Sequence, residues 1–276
     1  MLCLCQTSIV ISFPGCKINI GLNIISKRND GFHNLQSIFY PVSWSDVIEV
    51  NPSTKTQLFN YGTSLKIKKE DNIVWKAFQL IKNDYNLNPI HIHLLKNVPN
   101  GAGLGGGSAD GSSVLNLLNS KFNLNISNSK LEDYAATLGS DCPFFINNIP
   151  RLVTGRGEIL KPSSLSLKEY YLYIVHPEIH ISTQIAFSNI KPKKPNSNLK
   201  DLVVEDIKSW KNYVINDFEK SVFKNYSILE LIKNQLYDHG AIYASMTGTG
   251  STMYGLFKEK PKKMDSKYIS WIGKLN

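Results

Sequence analysis

Cysteine is scarce in this chain of 276 residues: there are four (Cys3, Cys5, Cys16, Cys142), too few and too scattered for a disulfide scaffold. Reduced thiols and a cytoplasmic compartment are therefore expected. Long apolar runs are also missing, and none approaches the roughly 20 residues that a membrane helix needs, so no membrane partner is expected. The opening Met1-Leu-Cys-Leu-Cys5 is apolar, but the first positive charge is Lys17, so a basic n-region is lacking. It reads instead as the approach to a strand over Gln6–Phe13. Acidic residues are the poorer sign: 22 Asp and Glu against 31 Lys and Arg leave a net charge of +9. That excess favours anionic ligands without choosing among them. No repeat of solenoid length occurs. What remains, 42% hydrophobic and 19% charged, is the composition of an ordinary globular protein of one large or two modest domains.

Strand-like and helix-like text alternate along the first half. Thr7–Phe13 and Lys17–Ile25 read as strands on either side of Pro14-Gly15, followed by a polar turn over Lys27–Gly31. His33–Val42 and Asp46–Val50 are extended. In Asn72–Asp84 the period changes, with Ile73, Ala77, Leu80 and Ile81 on one helical face. Alternating Ile90, Ile92 and Leu94 form a strand that runs into Asn97-Val-Pro-Asn100. Val114, Leu115, Leu118 and Phe122 mark the next helix. Ser129-Lys-Leu-Glu132 reads as a capping box and Gly139 as a helix stop. Further on, Tyr170–Val175 is a strand, Ile190–Lys200 a loop, and Ile228–Tyr237 a helix. Ala241–Thr247 and Thr252–Phe257 flank a reversal at Gly248-Thr-Gly250. The class is α+β, with a boundary near Leu160–Leu167 dividing 1–160 from 161–276.

The unusual text is Gly101-Ala-Gly-Leu-Gly-Gly-Gly-Ser108 at a strand-to-helix junction. Five glycines let main-chain N–H groups approach an anion closely, and the following helix adds its own unsatisfied donors. Ser108 can donate to a phosphate oxygen or touch a nucleotide-borne magnesium ion. The segment is not a Walker loop, because no lysine precedes Ser108, and the companions of protein kinases are absent. Gly101-x-Gly103-x-x-Gly106 matches the bare dinucleotide pattern, but no strand-ending acid follows at the required distance.

Pro99 through Ala109 resembles the phosphate-binding motif of the GHMP small-molecule kinases, and Met246-Thr-Gly-Thr-Gly-Ser251 resembles their C-terminal glycine motif. Pro14-Gly-Cys-Lys17-Ile-Asn19, Arg28-Asn-Asp-Gly31-Phe32-His33 and Leu138-Gly-Ser-Asp141-Cys-Pro143 narrow the resemblance to a branch acting on a cytidine-linked methylerythritol. It runs in order from about residue 12 to 257. It implies a two-domain fold with the active site in the cleft between domains, and ATP-dependent phosphorylation of the acceptor's 2-hydroxyl with ATP and magnesium as cofactors. ATP would be held by Pro99, Asn100, Gly101, Ala102, Gly103, Leu104, Gly105, Gly106, Gly107, Ser108 and Ala109. The matching catalytic pair is Lys17 and Asp141. Matching acceptor contacts are Asn19, Phe32, His33, Thr183 and Phe187, with phenylalanine at 32 where tyrosine is common. No protein metal ligand is implied beyond Ser108.

Read from the residues alone, Asp141 is equally a cap for the helix after Pro143, Lys17 a solvated lysine, and Phe187 core. Lys96 could approach a nucleotide or be solvated. His91 and His93 read as exposed strand residues, Cys16 as packing, and Lys191–Lys194 as surface; Cys3-x-Cys5 is given no role. A sibling kinase with another alcohol would not need Phe32, His33 and Phe187. A basic single-stranded nucleic-acid module would interleave aromatics with Lys and Arg on strands. Here the lysines concentrate in loops and helices, so no nucleic-acid partner is expected.

Overall fold

Asn72 opens the first long helix by accepting a hydrogen bond from Val74 N at 2.9 Å, and Val74, Ala77, Phe78 and Ile81 then face inward at helical spacing. The computed structural model describes residues 9–63, 67–188, 190–195, 197–265 and 267–276. In chain order the N-terminal strands are β1 (Val10–Ser12), β2 (Gly15–Lys27), β3 (His33–Ser45), β4 (Val47–Pro52) and β5 (Gln57–Gly62). Helix α1 (Ile73–Tyr85), β6 (Ile90–Lys96), α2 (Gly106–Lys121), α3 (Asn128–Leu138) and α4 (Cys142–Asn147) follow. Then come β7 (Arg151–Gly155), β8 (Ile159–Pro162), β9 (Tyr171–His176), α5 (Thr183–Ser188), α6 (Leu199–Leu202), α7 (Glu219–Asn225) and α8 (Ser227–Asp238). Strands β10 (Tyr243–Met246), β11 (Met253–Phe257) and β12 (Ile269–Lys274) complete the chain.

By contacts these elements fall into two units, neither contiguous in sequence. The first takes residues 1–16, 44–99 and 105–148, and the second takes 17–43, 100–104 and 149–276. In the first unit the sheet order is β1-β4-β6-β5, antiparallel except where β5 runs parallel to β6. Ile48, Val50, Ile92 and Leu94 of this sheet share a core with Val74 and Phe78 of α1, Val114 and Leu118 of α2, and Leu131 of α3. The second unit contains two sheets, ordered β2-β3-β7-β8 and β10-β11-β9-β12. The reversal at Gly248–Gly250 does join antiparallel strands, with Met246 opposite Met253.

Two local expectations are corrected. The strand expected over Gln6–Phe13 is three residues long within the described residues, and its N-terminal part lies outside them. It pairs with β4 (Val10 opposite Val50), in a different sheet from β2. Helix α3 is capped by Ser127, whose hydroxyl accepts from Lys130 N, and not by Ser129. The run Ser127-Asn-Ser129 offers two caps; Ser127 has the extended backbone that a cap requires, while Ser129 lies inside the helix. Among the described residues no helix is long and apolar enough to cross a membrane.

Candidate active site

In the first unit, the end of the glycine-rich segment, from Gly105 on, opens α2. Gly105 precedes it at φ +70°, a conformation that favours glycine. A Cβ added at Gly107 would meet nothing within 4 Å, so the first turn opens onto empty space beside unsatisfied N–H donors. That is the room and donor set a phosphate requires. Next to it, Ser108 hydrogen-bonds the Cys142 thiol, and burial pushes that thiol up to about 11. No group of three or more His, Cys, Asp or Glu able to hold a metal ion occurs among the described residues.

Helix α4 is tied to α2 by Ser112, whose hydroxyl donates to Cys142 O at 2.7 Å, and by Asn116 Nδ2, which donates to Ile146 O at 3.1 Å. Asp141, at the N-cap position of α4, is thereby held on the same rigid pair of helices as the phosphate-type N-terminus. Its side chain makes no capping hydrogen bond, so the cap reading of this aspartate fails.

Lys96 is corrected outright: neither solvated nor facing open space, it is 2% exposed, ion-paired to Asp46 and hydrogen-bonded to Asp110 Oδ2 at 2.7 Å. Asp46 Oδ1 also accepts Asn97 N at 2.6 Å and Val98 N at 2.8 Å, which fixes the exit of β6 toward the glycines. Asp110 lies one turn inside α2, and its Oδ1 is buried without a hydrogen-bond partner. Burial pushes its carboxyl up to about 8, with the neighbouring Asp46 also raising it. The carboxylates hold the Lys96 ammonium above its usual value although burial opposes this. With its carboxyl raised to about 8, Asp110 is the member of this triad that holds a proton at neutral pH.

In the second unit, Lys17 is 3% exposed and not a surface lysine. Its ammonium donates to Asn19 Oδ1 at 2.6 Å and to Gly103 O at 3.2 Å, and it sits 4.6 Å over the Phe39 ring. Asn19, two residues along β2, shares its face. Asn19 Oδ1 also accepts from Thr247 Oγ1 at 3.1 Å and Gly248 N at 2.9 Å, and Nδ2 donates to Ser37 Oγ at 2.9 Å. The two glycine motifs meet here. A Cβ on Gly103, at φ +77°, would lie 2.3 Å from Thr247 O, and one on Gly248 would lie 2.9 Å from Gly103 Cα. Asn216 anchors the second loop by donating to Met246 O at 2.8 Å and Gly248 O at 2.9 Å. Gly103→Ala should therefore cost about 1–3 kcal/mol of stability, from the positive φ alone, and displace the loop. Denaturant unfolding and ATP titration of the variant would check both effects.

Of the residues matched to base recognition, His33 and Phe187 meet, with ring centroids 5.1 Å apart and planes 28° apart. Phe187 also packs edge-on against Phe218 at 4.8 Å. Burial, aided by Lys27, holds the His33 imidazole below its usual value, which favours the neutral ring. Phe32 is 55% exposed. Thr183 is exposed, with its hydroxyl 3.5 Å from that of Thr249. His91 and His93 are half-buried, not exposed: their side chains meet Ser53 Oγ at 2.7 Å and the Tyr61 hydroxyl at 3.0 Å. Cys16 is buried, Lys191, Lys193 and Lys194 are exposed, and Cys3 and Cys5 lie outside the described residues. Reading the sequence missed Phe39, Thr247, Asn216 and the partners of Lys96. Thr247 alone carried a signal, being inside the second glycine motif.

Residues 72–148 match the GHMP kinases N terminal domain, and residues 198–265 match the GHMP kinases C terminal domain. The chain belongs to the GHMP kinases. Its likeness over nearly the whole length is to 4-diphosphocytidyl-2-C-methyl-D-erythritol kinases. That of Bacteroides fragilis is 48% identical over 93% of this chain and 96% of the relative, and that of Parabacteroides distasonis 44% identical over 97% and 100%. A crystal structure of 4-(cytidine 5'-diphospho)-2C-methyl-D-erythritol kinase superposes with a TM-score of 0.78 at 27% identity, covering 90% of each chain.

Proposed function

We propose that this enzyme transfers the terminal phosphoryl group of ATP to the 2-hydroxyl of 4-diphosphocytidyl-2-C-methyl-D-erythritol, giving the 2-phosphate and ADP in the cytoplasmic non-mevalonate route to isoprenoids. The observation that carries this reading is identity of 44–48% over nearly the full length of relatives bearing that kinase name. Pro99 to Ala109 serve the nucleotide phosphates. A magnesium ion carried by the nucleotide would supply charge neutralisation on the phosphates, and Ser108 would be the side chain to hold it.

Phosphoryl transfer to an alcohol is catalysed mainly by positioning and electrostatics. Asp141 accepts the hydroxyl proton as the oxygen–phosphorus bond forms. Lys17 supplies the positive charge that steadies the developing alkoxide and holds the alcohol, and Asn19 fixes the direction of that ammonium. Phe32, Phe187 and His33 take the cytosine by stacking and by an edge contact, and Thr183 lies toward the polar head.

The test is ATP consumption by the purified protein against a panel of alcohols: cytidine-linked methylerythritol, homoserine, galactose and mevalonate. Turnover confined to the first, with phosphate on its 2-hydroxyl, is expected. Turnover only with another member of the panel would move the chain to a sibling specificity.

A further inference from the structure

The rim of the base clamp carries an arginine to which the reading above gives no part. Strand β7 pairs with β3 with Gly155 opposite Leu35, so the turn after β7 emerges beside the start of β3, where Phe32 and His33 lie. That turn is built to hold one residue out. Gly155 sits at φ +70° with the Glu158 carboxylate folded over it, and Glu158 Oε2 accepts the backbone N–H of Arg156 at 2.5 Å. The Arg156 guanidinium then lies 5.0 Å from the centre of the Phe32 ring, with its side chain 43% exposed.

Neighbouring charges on this rim are mostly committed. Arg28 is spent on Asp30 at 3.0 Å and on Asn34 Oδ1 at 3.0 Å, while Asp30 also accepts Phe32 N at 3.1 Å. Arg156 has a loose contact with Glu158 Oε1 at 3.7 Å and lies near enough to Asp30 to help lower that carboxyl, but among the described residues its guanidinium donates no hydrogen bond. An arginine with a fixed backbone, stacked on an exposed aromatic ring and with its donors unspent, is a ready bidentate ligand for phosphate. A nucleotide whose base stacks at Phe32 carries its phosphates one ribose away, within the reach of an arginine side chain.

We infer that Arg156 binds the diphosphate bridge of the cytidine-linked acceptor, so that the enzyme selects a nucleoside diphosphate and not merely a cytosine. This rests on the substrate reading above. Because the contact is remote from the reacting hydroxyl, it acts equally on ground and transition states. Its loss should raise the KM for acceptor and leave kcat and the KM for ATP unchanged.

Binding of CDP and of cytidine would be titrated calorimetrically with the wild type, Arg156→Met and Arg156→Lys, folding being checked by thermal unfolding. The wild type should bind CDP about tenfold or more tighter than cytidine. Arg156→Met should bring the two affinities close together by weakening CDP alone, and Arg156→Lys should fall between, since a point charge keeps attraction but loses the fork. A CDP-to-cytidine ratio unchanged in Arg156→Met, or an equal loss of both ligands, would overturn the assignment. So would a rise in the KM for ATP in place of that for acceptor. Failure of the wild type to bind either cytidine compound would instead sink the substrate reading on which the assignment depends.

Discussion

Asp141→Asn is expected to lower kcat by roughly 10²–10⁴-fold, the usual contribution of a positioned general base, while leaving ATP binding and the unfolding temperature near wild-type values. The separation of effects follows from where the carboxylate sits. It occupies the cap position of α4 without capping it, so an amide of the same shape removes no helix-ending hydrogen bond. The groups that hold α4 in place are Ser112 and Asn116 on α2, and the substitution does not touch them. What the amide lacks is the capacity to take a proton from the alcohol. Steady-state kinetics with the cytidine-linked acceptor, together with nucleotide titration and thermal unfolding, would measure all three quantities. Retention of more than about a tenth of wild-type turnover would be a loss smaller than general bases give and would remove Asp141 from the role of base. A loss of turnover accompanied by loss of ATP binding would make the residue structural.

The parts of this molecule that were legible in the sequence are those whose physics is local. The glycines at 103 and 105 declare positions where φ is positive, the β10–β11 hairpin declares itself by Gly248 and Gly250, and α1 by its helical period, although the face read from Ile73, Ala77, Leu80 and Ile81 is turned slightly from the buried one, Val74, Ala77, Phe78 and Ile81. Reading failed where a residue's meaning depends on a partner far along the chain. Lys96 looks like any solvated lysine until Asp46, fifty residues earlier, is brought against it. Asn216 carries no motif, yet it supports the second glycine loop some thirty residues further on. Lys17 sits in a strand whose neighbouring text gives no sign of burial. Its enclosure comes from Gly103, Phe39 and the Asn19–Thr247 pair, which sequence separations of 22 to 228 residues hide.

The buried triad gives the largest expected effect on stability, and it separates two kinds of substitution. Lys96→Met removes the ammonium from a site where the Lys96 and Asp46 side chains are 1% and 0% exposed, leaving two carboxyl groups facing a thioether. Breaking a buried pair from one side costs roughly 3–5 kcal/mol, a large share of the roughly 5–15 kcal/mol that holds a domain together, and should lower the melting temperature by on the order of 10 °C. It should also loosen the exit of β6, because Asp46 organises both Asn97 N and Val98 N. Asp110→Asn behaves differently if Asp110 is the protonated member. An amide replaces a carboxylic acid of the same shape, still accepts from Lys96, and should cost less than about 1 kcal/mol, since neither the ion pair nor the charge balance changes. The sign with pH follows from the proton. In the unfolded chain Asp110 titrates near ~4, whereas in the folded chain it does so at about 8. Between those values the folded state holds a proton that the unfolded state has released, so this residue's contribution is complete below pH ~4 and fades as pH rises toward about 8. Denaturant unfolding at pH 5 and pH 8 should therefore show the wild type losing stability across the interval, and Asp110→Asn losing less. Equal pH slopes in the two proteins, or an asparagine variant as damaged as Lys96→Met, would show that Asp110 is ionised in the fold and that the interior tolerates a net negative charge.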